Sequence, residues 1–260
     1  MKLKPLHDPA NGKLLAVGFM SGSGTNLCRV LEHEQQLATE RGSSPYHICA
    51  IFSDTADSRA AEIGAQFNIP VLLRDIRAYY KAHALPRTDM TLRSRYDAET
   101  VKLLAPFAAK VAVFAGYMSI ASPVLIRAFL GVNVHPADLA VQVNGQRRWV
   151  GGHAVRDAIA AGEPVIRSTT HIVEPEVDGG RILMVSAPVQ VQLPEGIDLK
   201  DKQQLKLATN SNQERLKKAG DWVIMPRTIE YLADGRFAAT ETGALCFDGQ
   251  PVPGGLRLEN

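Results

Sequence analysis

Residues 14–27 read Leu14-Leu15-Ala16-Val17-Gly18-Phe19-Met20-Ser21-Gly22-Ser23-Gly24-Thr25-Asn26-Leu27. Leu14 to Phe19 is an apolar run of strand length, Ser21 to Asn26 is a glycine- and serine-rich turn, and a helical pattern follows from about Leu27 to Glu40. Strand, tight turn and helix in that order form the opening unit of a parallel α/β sheet. The unit then recurs. His47 to Phe52 reads as a strand, Ser58 to Phe67 as a helix, Ile69 to Leu73 as a short strand and Arg93 to Lys110 as a helix. Val111 to Ala115 is a strongly apolar strand. Ser122 to Phe129 is a helix with Pro123 in its first turn, and Val132 to His135 is the next strand. The expectation is an α/β fold with a Rossmann-like, mostly parallel sheet and helices on both faces.

After His135 the pattern loosens. Ala137 to Gly152 holds Asn144-Gly145, Arg147, Arg148 and Trp149 and reads as a long exposed loop, a length usually reserved for function. His153 to Ala161 reads as a helix, and Thr169 to Glu174 and Ile182 to Val191 as two strands around a turn at Asp178. Leu205 to Ala233 is mostly helical, with Pro226 breaking it, kinking it or opening a new segment. The expected organisation is an extension over 1–12, one domain over 13–237 and a tail over 238–260, the tail a hairpin plus a frayed end.

Composition narrows the function classes. Apolar residues make up 45% and charged residues 22% of the 260, the balance of a globular protein in water. A formal net charge of +2 gives no bulk attraction to nucleic acid or to a membrane surface. Cys28, Cys49 and Cys246 are odd in number and far apart, which argues against a disulfide framework and for a reducing cytoplasm. No apolar run is long enough to span a bilayer, and no His/Cys cluster has metal-ligand spacing.

Three groups carry the chemistry. Alternation along Gly131-Val132-Asn133-Val134-His135-Pro136 puts Asn133 and His135 on one face of a strand end. Asp178 precedes Gly179-Gly180, where the backbone can turn sharply and aim a carboxylate. An amide, an imidazole and a carboxylate suit acyl transfer: an oxyanion stabiliser, a proton carrier, and a group that orients the carrier and favours its charged form. Strand-end residues satisfied by nearby backbone are the plainer reading of Asn133 and His135. His171 is equally consistent with a packed structural histidine and with a site residue. The turn before α-helical Leu27 offers free N–H groups and a helix dipole to an anion. Its plainer reading is a tight βα turn capped by Asn26. A dinucleotide turn is weakened by the absence of the third motif glycine, Leu27 standing where it would fall.

These segments resemble the folate-dependent formyltransferases. The matching stretches are Ser21 to Leu27, Ala115-Gly116-Tyr117-Met118-Ser119-Ile120, Asn133-Val134-His135-Pro136, Glu176-Val177-Asp178-Gly179-Gly180 and Tyr231 to Arg236, covering about Lys13 to Phe237. The resemblance is closest to the branch that formylates glycinamide ribonucleotide in purine synthesis. It implies that 10-formyltetrahydrofolate is the formyl donor and that no metal takes part. It implies that Asn133, His135 and Asp178 carry the transfer, with Asp178 keeping His135 protonated. Gly24, Thr25 and Asn26 would hold the substrate phosphate. Asp221, where the family usually has Glu, would face the sugar, and Arg93 would be a basic residue near the substrates. Met118, Ser119, Ile120 and Ala121, with Glu176 and Val177, would line the pterin pocket. A cytoplasmic monomer or homodimer acting on small molecules is implied.

The sequence departs from the family at two places. Ser119 stands where an arginine is usual, and Ala137-Asp138-Leu139-Ala140 replaces Ser-Leu-Leu-Pro and is followed by an insertion reaching Gly151. Both lie where donor and amine should meet. A different amine acceptor such as a sugar nucleotide, water as acceptor in a deformylase, and a non-catalytic nucleotide-binding module therefore stand as alternatives. The polar run Gln146-Arg147-Arg148 and Trp149 is expected either to cover the folate, arginines on its carboxylates and indole on its ring, or to form a solvated loop or dimer contact.

Overall fold

The computed structural model describes residues 3–259; residues 1, 2 and 260, which belong to the expected extension and tail, lie outside them. The centre is an eight-stranded sheet. Its strands are β1 (Leu14–Met20), β2 (Tyr46–Ser53), β3 (Val71–Leu73), β4 (Val111–Phe114), β5 (Leu130–His135), β6 (Thr169–Ile172), β7 (Ile182–Val185) and β8 (Leu256–Arg257). They lie in the order β8-β7-β6-β5-β4-β1-β2-β3. The run β5-β4-β1-β2-β3 is parallel throughout, as the alternation of strands and helices requires. β6 is antiparallel to both its neighbours, and β8 joins β7 in parallel.

The helices are α1 (Thr25–Arg41), α2 (Ala60–Phe67), α3 (Ile76–Ala82), α4 (Met90–Leu104), α5 (Pro123–Ala128), α6 (Ala154–Ala160), α7 (Lys202–Leu216) and α8 (Trp222–Ala233). Period-two alternation divides the strand side chains between two cores. Ala16, Met20, Val111, Val113, Val132 and Val134 pack with α1 and α8 residues such as Leu27, Leu31, Ile224 and Ile229. Val17, Phe19, Ala112 and Phe114 pack on the opposite face with Ile76, Tyr80, Tyr96 and Leu125 of α3, α4 and α5. Asn133 and His135 therefore leave the sheet on the face opposite Val132 and Val134, at the carboxyl end of β5, where α/β sheets place their ligands.

Four details differ from the sequence expectation. Asp75 caps α3 by accepting from the Ala78 N–H, and this seven-residue helix was not anticipated. The helix expected to reach Lys110 ends at Leu104, with Pro106 in a single following 3₁₀ turn. Pro226 sits inside α8, directly after a π-helical turn over Lys217–Asp221. Among the described residues the tail is paired as far as Arg257: Phe237–Thr240, Leu245–Phe247 and Gln250–Pro251 form a small sheet with Leu3–Pro5, and Leu256–Arg257 supplies β8.

Candidate active site

The carboxyl ends of β1, β4 and β5 open into a cleft of about 430 Å³. Ser23 to Asn26 line one part of it, Phe114 to Ala121 another, and Asn133 to Pro136 its floor. Gly151, Gly152, His171 and Val173 to Asp178 close one side; Gln213, Glu214, Lys217 and Asp221 close the other. Gly24, Thr25, Asn26, Met118, Ser119, Ile120, Ala121, Asn133, His135, Glu176, Val177, Asp178 and Asp221 thus meet in one place although up to about two hundred residues separate them in sequence.

Arg93 does not join them. It is 3% exposed on α4, 3.1 Å from Asp97 one turn on, and donates to the Tyr117 hydroxyl at 2.9 Å. The expectation that it faces the substrates is corrected: its charge is consumed by a buried carboxylate whose second oxygen accepts from the Ser122 N–H at 2.8 Å.

His135 is held between two acceptors. Its Nε2 donates to the Trp149 carbonyl at 2.8 Å, and its Nδ1 lies 3.4 Å from the Asp178 carboxylate. A carbonyl only accepts, so the proton of the neutral ring is on Nε2 and Nδ1 carries the lone pair. Burial pushes the His135 pKa down and outweighs Asp178, which raises it. This corrects the expectation of a resting imidazolium. The ring rests neutral, with Asp178 beside the nitrogen that takes up a proton.

Burial alone would raise the Asp178 carboxyl, but a hydrogen bond with His171, the charge that His135 carries once acid has protonated it, and the Gly151 N–H together hold it at about 2. The Gly151 N–H donates to it at 2.8 Å. Asp178 itself takes a left-handed backbone, φ +53°, a conformation aspartate tolerates better than most side chains. Gly180 follows because a Cβ there would stand 1.8 Å from the Ile172 carbonyl oxygen. Across the sheet His171 of β6 is in register with Asn133 of β5. With its Nδ1–H given to the Ile172 carbonyl at 2.9 Å, His171 offers Nε2 to the Asn133 amide, 3.1 Å away. The second amide hydrogen of Asn133 remains for the cleft. His171 is thus a site residue as well as a packed one.

At the far end α1 begins at Thr25, and Gly24 before it has φ +65°. That left-handed backbone favours glycine, and a Cβ there would also crowd the tips of the Ile63 and Met20 side chains, 2.4 and 2.7 Å away. The 17-residue helix aims its free N–H groups into the cleft. Asn26 does not cap it in the usual way. Its Nδ2 donates to Asp221 at 3.3 Å, and Ser168 donates to the other Asp221 oxygen at 2.5 Å. Asp221 is buried, and burial pushes its carboxyl up to about 6 against the two hydrogen bonds. Lys217, one turn away from Asp221, is the one lysine or arginine among the described residues that line the cleft, and it pairs with Glu214 at 2.5 Å. Nothing in the sequence pointed to it.

The opposite mouth is apolar. Met118, Ile120 and Val177 are 78, 58 and 53% exposed, a cluster of large hydrophobic groups suited to a flat heteroaromatic ligand. Ser119 is drawn inward by a hydrogen bond to Asp54, a buried acid that also accepts from Ser21 at 2.6 Å. Ser21 in turn accepts from the Met118 N–H at 2.9 Å, which fixes this rim to the first glycine turn.

The insertion is exposed over residues 142–146, as expected, and is more ordered than a plain loop. Gln142–Val143 and Gln146–Arg147 pair as a hairpin around Asn144-Gly145. Arg147 donates to the main-chain carbonyls of Asp178 and Gly180. Arg148 stacks 4.2 Å over the Trp149 ring and lies 3.2 Å from Glu163. Trp149 is 8% exposed, packed in a third core with α6 and α7. Arg147, Arg148 and Trp149 are each engaged within the protein and none of them lines the cleft, in keeping with the solvated-loop alternative rather than with a cover over the folate.

Among the described residues no group of three or more His, Cys, Asp or Glu side chains could hold a metal ion, and no helix is long and apolar enough to cross a membrane. The cleft joins a neutral base beside a fixed carboxylate, an amide donor, an anion-binding helix end and an apolar mouth. That set can accept a proton from a nucleophile while a donor meets a developing oxyanion.

Comparison with known proteins agrees with this chemistry. Residues 15–198 match the model of the Formyl transferase family. The chain is 27% identical over 239 residues to "Phosphoribosylglycinamide formyltransferase" of Escherichia coli (strain K12), covering 91% of this chain and 95% of that one. It is 30% identical over 190 residues to the protein of the same name in Mycobacterium tuberculosis, covering 72% and 76%. The crystal structure of phosphoribosylglycinamide formyltransferase from Anaplasma phagocytophilum superposes with a TM-score of 0.69 at 20% identity, over 95% of this chain and 99% of that one, a likeness of fold.

Proposed function

Because the chain belongs to the Formyl transferase family, we propose that it transfers a formyl group from 10-formyltetrahydrofolate to the amine of glycinamide ribonucleotide, a step of purine biosynthesis. The observation that carries this reading is the meeting of Asn133, His135 and Asp178 in a cleft whose far end is the Gly24-Thr25-Asn26 helix terminus. The relatives' shared name supports the choice of acceptor.

The chemistry follows from the cleft. The amine attacks the formyl carbon, a C–N bond forms, and the carbonyl oxygen gains negative charge that the free Asn133 amide hydrogen meets. His135 Nδ1 takes the proton from the attacking nitrogen. Asp178 stabilises the imidazolium so formed, and the proton passes to the folate nitrogen as its bond to the formyl carbon breaks. The folate enters as a substrate, its pterin in the pocket lined by Met118, Ser119, Ile120, Ala121, Glu176 and Val177. The phosphate of the acceptor lies on the N–H groups of Gly24, Thr25 and Asn26, with Asp221 on the sugar side.

This reading takes the protein as a monomer or homodimer acting on small molecules. The three cysteines are unpaired, which supports the cytoplasm.

The test is to supply 10-formyltetrahydrofolate with glycinamide ribonucleotide, with an amino sugar nucleotide, and with water alone, and to follow folate release. Rapid release with the ribonucleotide alone is expected. Comparable release with the sugar nucleotide or without any amine would overturn the assignment of the acceptor.

A further inference from the structure

The insertion touches the reacting groups at three points. The Trp149 carbonyl holds His135 Nε2 at 2.8 Å, the Gly151 N–H holds Asp178 Oδ2 at 2.8 Å, and Arg147 holds the main chain of Asp178 and Gly180. The insertion is itself anchored. Trp149 fills the α6–α7 core, and Arg148 clamps the indole from outside.

Arg147 has the geometry the task requires. It is half-buried at the end of the hairpin, opposite Gln142. Two of its N–H groups reach two carbonyls of the turn that follows Asp178, those of Asp178 and Gly180, the Gly180 oxygen at 2.7 Å. A planar guanidinium spans such a pair, whereas an ammonium offers a single point of charge. The bonded carbonyls directly follow the Asp178 backbone position, whose left-handed φ of +53° must be held in place for the carboxylate to keep its aim. Relaxation of that turn would draw the carboxylate away from His135 Nδ1.

We propose that Arg147 is a positioning residue for Asp178: by clamping the Asp178 and Gly180 carbonyls it keeps the carboxylate beside His135, so that the insertion completes the proton-transfer apparatus rather than covering a substrate. This rests on the formyl-transfer reading. It assigns the insertion to the chemical step and not to ligand affinity. His135 is faced by Asp178, His171 and Arg147, so the guanidinium also stands within the field of the base.

The test uses the intact chain with Arg147→Met, Arg147→Lys and Arg147→Ala. Circular dichroism and melting establish folding, and kcat and both KM values are then measured. A displacement of about 1 Å at a reacting group costs on the order of 10²-fold. The methionine variant is therefore expected to lose ~10- to 100-fold in kcat, with both KM values within about twofold of the parent. The lysine variant, which keeps the charge and not the fork, is expected to lose nearly as much. Added guanidinium ion is expected to restore part of the kcat of Arg147→Ala and to leave the parent unchanged.

A folded methionine variant with parental kcat would overturn the proposal, as would a rise confined to the folate KM. If the methionine variant does not fold, Arg147→Lys decides by the same readout. Absence of formyl transfer in the parent chain would instead sink the functional reading, so the two failures are told apart.

Discussion

The Nε2 of His135 donates to the Trp149 main-chain carbonyl at 2.8 Å, leaving Nδ1, 3.4 Å from Asp178, as the basic nitrogen of the ring. The partner is a backbone atom, so the tautomer does not depend on the side chain at 149. It depends on where the insertion places that peptide. His135→Ala should lower kcat by ~10²–10⁴-fold, the usual loss for a general acid–base group. Far-ultraviolet circular dichroism should be unchanged. Parental turnover in the folded variant would remove His135 from the chemistry.

The pH dependence has a definite sign. Burial lowers the His135 pKa, so the base is free at neutral pH, and kcat/KM should rise through a midpoint below the ordinary histidine value of about 6.5 and then level off. Asp178 opposes the effect of burial. Asp178→Asn should therefore shift the midpoint further down while reducing kcat. A pH–rate series on both proteins checks this; a midpoint that stays in place or rises would contradict the coupling.

At the anion end, Thr25→Pro removes one of the main-chain N–H groups offered to the phosphate, at the first helical position, where proline is tolerated, and should raise the KM of the phosphorylated acceptor about tenfold, the worth of one hydrogen bond to a charged group, while leaving that of the folate unchanged. Competition by inorganic phosphate offers a second readout, since phosphate carries no sugar and no amine. Equal inhibition of parent and variant by phosphate would place the anion elsewhere.

Asp221 links stability to pH in the direction opposite to most carboxylates. Its folded pKa is raised to about 6, so between about pH 4 and pH 6 the folded chain holds a proton that the unfolded chain has released. Its contribution is most favourable below that window and falls as pH rises through it, by on the order of 3 kcal/mol. Asp221→Asn should flatten this part of the curve. Urea unfolding at a series of pH values measures the slope, and an unchanged slope would mean another group is responsible.

Arg93→Met tests the placement of the buried pair. Removing the guanidinium strands Asp97, fully buried on α4, and should cost ~3–5 kcal/mol. Both KM values should stay at the parental level because Arg93 is outside the cleft. A raised KM with little loss of stability would return Arg93 to the substrates.

The ladder of β1 to β5 was readable because apolar runs, glycine turns and helical periods alternate at regular spacing. The meeting of Asn133 with His135 was readable from period two alone. What decides the rest is pairing across the sheet and burial, neither of which has a local signature. His171 faces Asn133 only because β6 runs antiparallel to β5 in that register. Arg93 had a visible partner in Asp97 at helical spacing, but only packing shows that the pair is buried. Trp149 stood in a polar stretch and read as a surface group, yet a core built from α6 and α7 closes over it. The neutral state of His135 follows from desolvation outweighing a nearby charge, a comparison of magnitudes that residue identity does not give.

The last strand of the sheet, Leu256–Arg257, pairs with Met184 and Val185, about seventy residues back along the chain. All four residues of Ile182–Val185 are buried. A chain shortened ahead of Leu256 would leave that apolar strand with a row of unpaired peptide groups, a template for another molecule of the same kind. Trimming the C-terminal segment to tidy an expression product should therefore yield aggregates rather than a smaller soluble enzyme, and a nascent chain carries the same exposed edge until its closing strand has been made.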